Sequence, residues 1–155
     1  MKKTTSRNGF TLIELIIVMV ILGIMAAVAV PRYLDSIANA EESAEDAVIT
    51  AIKNGLKQYA NNALVDGGRA TWPTDPFSAL SEKPAGHTED GDLANTDGEW
   101  TFIDNMDGTG QITHQRADNS RYTWDYDSGT QEDDDADTAQ IGSLGPRVKV
   151  GEAAA

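Results

Sequence analysis

The sequence predicts an α+β fold, in which one long N-terminal α-helix, membrane-spanning in its first half, packs on a small antiparallel β-sheet. Three observations predict it. From Phe10 to Val30 the chain is largely apolar and carries a single charge, Glu14. From Ile37 to Ala63 apolar residues recur at steps of three, four or seven. From Trp100 onward the period becomes two.

A length of 155 residues fits one domain, with an appendage at most. The absence of cysteine excludes a disulfide scaffold, a thiolate zinc site and a cysteine nucleophile. A net charge of -13 argues against direct nucleic-acid binding, because such a surface repels phosphate backbones. The charge is uneven. Lys2, Lys3 and Arg7 precede the apolar run with no acid among them, so the rest of the chain is more acidic than the total implies.

A helix over 10–30 would be about 30 Å long, close to the thickness of a bilayer's hydrocarbon core. Its basic flank should remain cytoplasmic and the acidic remainder should lie on the other side. A secretory signal cut near Ala27-Val28-Ala29, or a plain anchor, would also account for the apolar run. Neither explains Glu14. A carboxylate near the start of an apolar span is costly unless it is paired or reaches the interface, so it marks a functional position. Pro31 closes the run and, with Gly23, marks weak points in the helix.

Past Pro31 the helix becomes amphipathic. Ile37, Ala44, Val48, Ile52, Leu56, Tyr59 and Ala63 form the expected buried stripe, and Glu41, Glu42, Glu45, Asp46, Lys53, Lys57 and Gln58 the wet face. Asn61-Asn62 and Asp66-Gly67-Gly68 should end it, giving a rod from about Thr11 to about Ala63, roughly 80 Å long. Val65 to Glu99 reads as a long connection whose surface faces outward or against a neighbour. Within it, Asp75-Pro76 before Phe77-Ser78-Ala79-Leu80 has the form of a capped helical turn.

Three strands follow, around Trp100–Ile103, Ile112–His114 and Arg121–Tyr126. They are joined by turns at 105–110 and 117–120 into a meander whose aromatic face covers the helix. Arg147–Val150 adds an edge strand.

Chemical motifs are sparse. His87 and His114 are the only histidines, and His114 shares a strand face with Ile112, which reads as packing. No phosphate loop, metal-binding histidine pair or nucleophile elbow is present, so no enzymatic activity is expected. No cofactor is expected either, with calcium as the one exception that an acidic exported head admits. Its candidate ligands are Asp90, Asp92, Asp97 and Glu99 in one loop and Asp133, Asp134 and Asp135 in another; neither loop has EF-hand spacing.

The run Gly9-Phe10-Thr11-Leu12-Ile13-Glu14, behind a short basic leader and ahead of an apolar helix, resembles the processing signal of the type IV pilin family, including type II secretion pseudopilins. The match continues to Pro31 and covers about the first third of the chain. The resemblance implies cleavage between Gly9 and Phe10 by a prepilin peptidase that also methylates the new amino terminus. Phe10 and Glu14 would serve filament assembly, with Glu14 neutralising a neighbour's terminal amine, and Gly23 to Pro31 would form a hinge.

The organisation then expected is a cleaved leader at 1–9, a transmembrane and filament-core helix at 10–31 and an amphipathic head helix at 32–63. A variable connection at 64–99, a pilin-like sheet at 100–126 and an acidic C-terminal region at 127–155 complete it. The expected partners are further copies and other pilin-like subunits, the processing enzyme, an inner-membrane assembly platform and a cytoplasmic ATPase. The precursor would sit in the bacterial inner membrane with its N-terminus cytoplasmic, and the assembled subunit in a cell-surface filament. The alternatives are a periplasmic secretion pseudopilin and an anchored, non-polymerising domain that binds cations or a partner. Two departures stand out. The chain cannot form the C-terminal disulfide of many type IVa major pilins, and its late acid run only loosely echoes the calcium loop of the major pseudopilin.

Overall fold

The structure is a computed structural model and describes residues 10–129 and 142–151. The chain forms two compact units, Met1–Ser43 and Ala44–Ala155. One helix, α1 (Leu12–Gly67), supplies the described secondary structure of the first unit and begins the second.

In the first unit α1 is helical through both Gly23 and Pro31. Proline at that position removes one backbone hydrogen bond without ending the helix. Every large apolar side chain from Phe10 to Val30 is exposed, from Phe10 at 91% to Ile16 at 47%. The segment is long and apolar enough to cross a membrane.

The second unit holds the core. β1 (Trp100–Asp104), β2 (Thr109–Gln115) and β3 (Arg121–Asp127) form an antiparallel meander, and the short β4 (Ser143–Leu144) and β5 (Val148–Lys149) both pair with β3. The register sets Phe102 opposite Ile112 and Ile112 opposite Trp124, so alternate residues share one face. Trp100, Ile112, Trp124 and Tyr126 on the sheet cluster with Ile49, Ile52 and Leu56 of α1 and with Phe77. Trp100 stacks on Trp124 with ring centroids 5.6 Å apart. The turn before Phe77 is the expected one: Asp75 accepts a hydrogen bond from the Phe77 backbone N–H at 2.8 Å, and Pro76–Ala79 form a single 3-10 turn.

Three differences from the expected layout have physical causes. First, α1 runs four residues past Ala63 to Gly67, where Gly68, at φ +73°, donates its N–H to the Leu64 carbonyl at 2.9 Å. Two asparagines do not stop a helix that has a glycine cap available one turn later. Second, the buried stripe runs through Glu45, Ile49, Ile52, Leu56 and Ala60, with Val48 half-buried against the same core, rather than through Ile37, Ala44 and Tyr59, which are exposed. Glu45, assigned above to the wet face, has no exposed surface.

Third, the connection before β1 keeps most of its residues exposed, as expected, but is anchored in the core at several points. Pro73, Pro76, Phe77 and Ala94 are buried. The Tyr126 hydroxyl donates to the Pro73 carbonyl at 2.5 Å. Ala94 N–H donates to Thr113 Oγ1 at 2.8 Å, and Thr101 Oγ1 to the Asp92 carbonyl at 2.6 Å. The last two bonds cover Thr101 and Thr113 on the sheet face opposite Ile112 and Trp124. Gly55 makes room for the turn on the other side, since a Cβ there would lie 2.5 Å from the Ala79 carbonyl oxygen.

Candidate functional site

Two carboxylates of α1 stand in apolar surroundings, and the chain satisfies them differently. Glu14 lies in the first turn. Its Oε2 accepts from the Thr11 backbone N–H at 2.8 Å and from Thr11 Oγ1 at 2.7 Å, while the Glu14 N–H donates to Thr11 Oγ1 at 3.3 Å. This is a capping box, which satisfies orphan donors at a helix start and places negative charge at the positive end of the helix dipole. Phe10 precedes the cap and is nearly fully exposed. Gly9 lies outside the described residues. Gly23 sits in open helix surface with nothing within 4 Å of its Cβ position.

Glu45 is fully buried at the first turn of the core stripe. Arg116, just past β2, grips it in a fork, Nε to Oε1 and Nη2 to Oε2, both at 2.6 Å. His114 Nδ1 lies 3.0 Å from Oε1, and Arg147 Nη1 donates to Oε2 at 3.1 Å. Arg147 also reaches Asp46 at 3.5 Å. Tyr122 lies beneath the Arg116 guanidinium, 4.0 Å from its ring centroid. Burial alone would push the Glu45 carboxyl up. The Arg116 hydrogen bonds and the weaker help of His114 and of both charges outweigh it, and hold the group at about 2.

His114 is thus packed, as its strand position implied: it is buried and stacks on Trp100 at 4.2 Å. The ion cluster itself was missed. The signal was in the spacing, since Glu45 lies four residues before Ile49 and seven before Ile52, on the stripe itself. A stripe phased on Ala44 and Val48 conceals it.

The acidic loop before β1 is folded inward on one acid. Glu99 is buried, and its carboxylate accepts from Asn95 N–H at 2.7 Å, Thr96 N–H at 3.0 Å and Thr88 Oγ1 at 3.0 Å. The Asn95 bond above all holds its pKa below the usual carboxylate range, against burial. Asp90, Asp92 and Asp97 are exposed. Among the described residues no group of three or more acidic or histidine side chains converges as a metal site. Asp133, Asp134 and Asp135 lie outside the described residues. A cleft of about 490 Å³ opens beside this loop, lined in part by Asp75, His87, Glu89 and Asp104. His87 stacks on Phe77 at 4.3 Å, and its two ring nitrogens are buried without a hydrogen-bond partner.

Residues 4–30 match the family model described as the prokaryotic N-terminal methylation motif. The chain is similar to the type IV major pilin protein PilE of Neisseria gonorrhoeae, 41% identical over 75 residues, 48% of this chain and 41% of that one. Similarity to a fimbrial protein of Pseudomonas aeruginosa extends over 108 residues at 32% identity, covering 69% of this chain and 66% of the other. With the type IV major fimbrial protein FimA of Dichelobacter nodosus it reaches 127 residues at 35% identity, 82% of this chain and 71% of FimA. The chain spans less than half the length of the neisserial relatives it matches. No solved structure matches it. A methylation motif at the head of an exposed apolar helix, a helix-on-sheet fold and likeness over most of FimA together assign the chain to the type IV pilin family.

Proposed function

We propose that the chain is a prepilin that is cut after Gly9, N-methylated at Phe10 and polymerised through its N-terminal helix into a cell-surface pilus filament. The carrying observation is the apolar surface of α1 from Leu12 to Val30, exposed throughout and interrupted by a single charge, Glu14. Such a surface needs lipid or other helices around it.

Before assembly the Thr11 cap lets Glu14 remain charged at the membrane edge. On assembly the carboxylate meets the methylated terminal ammonium of a neighbouring Phe10. A pair of this kind adds little net stability, yet leaving either partner alone in an apolar bundle costs about 3–5 kcal/mol, so it sets the axial register between subunits. Gly23 to Pro31 is the interval in which the helix bends as it leaves lipid. A peptidase that also carries the methyl transfer, an inner-membrane platform and a cytoplasmic ATPase are the partners this route requires.

Intact mass of the mature protein tests the processing: removal of residues 1–9 with gain of one methyl is expected, and an uncut leader or a cut near Ala29 overturns the reading. Electron microscopy of sheared surface material tests the filament. Long pili support it, and a short periplasmic fibre would assign the chain to secretion instead.

A further inference from the structure

Four aspartates of the chain stand directly before a glycine: Asp66, Asp90, Asp97 and Asp107. Such a step can react with itself. The glycine nitrogen attacks the aspartate Cγ, the carboxyl gives up its OH and the nitrogen its proton, and loss of this water leaves a five-membered succinimide. Water then reopens the ring at either carbonyl, restoring aspartate or leaving isoaspartate, in which the main chain runs through the side-chain methylene. Glycine favours the closure because no side chain crowds its nitrogen. The closure also needs that nitrogen free of hydrogen bonds, a carboxyl free to turn onto it, and backbone outside regular structure.

Three of the four steps lack one of these conditions. Asp66 and Gly67 end α1, whose helical backbone keeps the glycine nitrogen turned away from the preceding carboxyl. Gly98 N–H is held by the Gln115 carbonyl at 2.8 Å. Asp107 Oδ1 accepts from Thr109 Oγ1 at 2.6 Å and from Thr109 N–H at 2.9 Å. These bonds, the hydroxyl's first, fix the carboxyl on Thr109 and hold its pKa below the usual carboxylate range, whereas OH leaves from the neutral acid.

Asp90 and Gly91 meet every condition. Both are exposed and lie outside helix and strand. The one hydrogen bond to the Asp90 carboxylate among the described residues is a long one, from Thr88 Oγ1 at 3.3 Å, and that hydroxyl has a closer acceptor in Glu99 at 3.0 Å. Gly91 N–H donates to no described group. At φ +74° the Gly91 backbone has nothing within 4 Å of its Cβ position, so the ring has room to close.

We infer that Asp90-Gly91 is a modification site, the step at which the folded chain spontaneously forms a succinimide and then isoaspartate. The reaction needs no enzyme and does not rest on the filament reading. Thr88 N–H on the Trp100 carbonyl at 2.9 Å and the Asp92 carbonyl on Thr101 Oγ1 at 2.6 Å pin the chain on either side of the step. The added main-chain methylene falls between these pins, so isoaspartate must bulge outward or break the Thr101 bond.

Prolonged incubation of the purified full-length chain in detergent micelles, with the head folded or unfolded by urea, tests this. Peptide mapping with fragmentation that separates isoaspartate from aspartate reads each step. In the folded chain isoaspartate should rise first at Asp90 and stay well above the other three positions. Asp90→Glu, whose longer side chain would have to close a six-membered ring, should leave little isoaspartate anywhere. In urea the four steps should converge, because the restraints on Asp66, Asp97 and Asp107 go with the fold. An earlier rise at any of those three in the folded chain, or a lead for Asp90 as large in urea as in the folded state, would overturn the inference.

Discussion

The two ends of α1 solve one problem in opposite ways. In the first unit apolar side chains face outward and Glu14, the one acid between Phe10 and Val30, is satisfied by its own first turn. In the second unit the apolar side chains face inward, and Glu45 is satisfied by residues about 70 and 100 positions away in the chain. A local cap leaves a helix end free to change surroundings, since nothing else must move when it is exchanged for another partner. A nonlocal cluster does the reverse and fixes the helix against the sheet in one register.

The largest expected break in this contrast lies at Glu14. On the proposed assembly route, Glu14→Val or Glu14→Ala should enter the membrane normally yet lower sheared filament yield by roughly 100-fold or more, since 3 kcal/mol is about two factors of ten. Normal yield from either variant would remove the ion pair from the mechanism. The matching change in the head is Glu45→Ala, which strands the Arg116 guanidinium in the core. It should destabilise the head by about 3–5 kcal/mol, read as a fall in Tm. Glu45→Leu combined with Arg116→Leu should recover much of that loss, because the uncompensated charge goes with its partner.

Acid offers a gentler route to the same cluster. The folded Glu45 value of about 2 lies below its ordinary 4.5, so its contribution is complete above about pH 4.5 and is lost as pH falls through about 2. A gap of that size corresponds to roughly 3 kcal/mol for this fully buried group. In acid denaturation the wild type should therefore lose stability over that window more steeply than Glu45→Gln.

Two glycines sharpen the contrast at the smallest scale. Gly55→Ala places a methyl 2.5 Å from the Ala79 carbonyl oxygen, and overpacking of about 1–3 kcal/mol should exceed the roughly 1 kcal/mol that alanine gains in a helix. Gly23→Ala meets nothing within 4 Å, so it should stiffen the helix by up to about 1 kcal/mol and leave head Tm unchanged. Thermal melts of the two variants side by side check both.

The elements that were readable in the sequence are those whose causes are local. Asp75-Pro76 carries its own cap, and the alternation of Arg121 to Tyr126 carries its own face. The family likewise rests on contiguous residues, Gly9 to Glu14, ahead of the apolar helix. What stayed hidden depends on distant parts. Whether Glu45 is wet or buried is decided by Arg116 and Arg147, and periodicity alone tolerates a stripe shifted by one residue. The connection looked external because it is rich in glycine, proline and acids. Most of it is exposed, and its hydrogen bonds to Thr101, Thr113 and Tyr126 are what tie it to the core at separate points.

On the proposed route the outward apolar surface of α1 also fixes where subunits wait before they polymerise. A helix that tolerates lipid or neighbouring helices, but not water, must pass from one to the other with no aqueous stage between. On the proposed route subunits therefore reach the growing end by sliding within the bilayer plane. The supply that governs elongation is then a number per unit of membrane area, so growth should track how densely the membrane is stocked rather than how much protein the cell holds per volume.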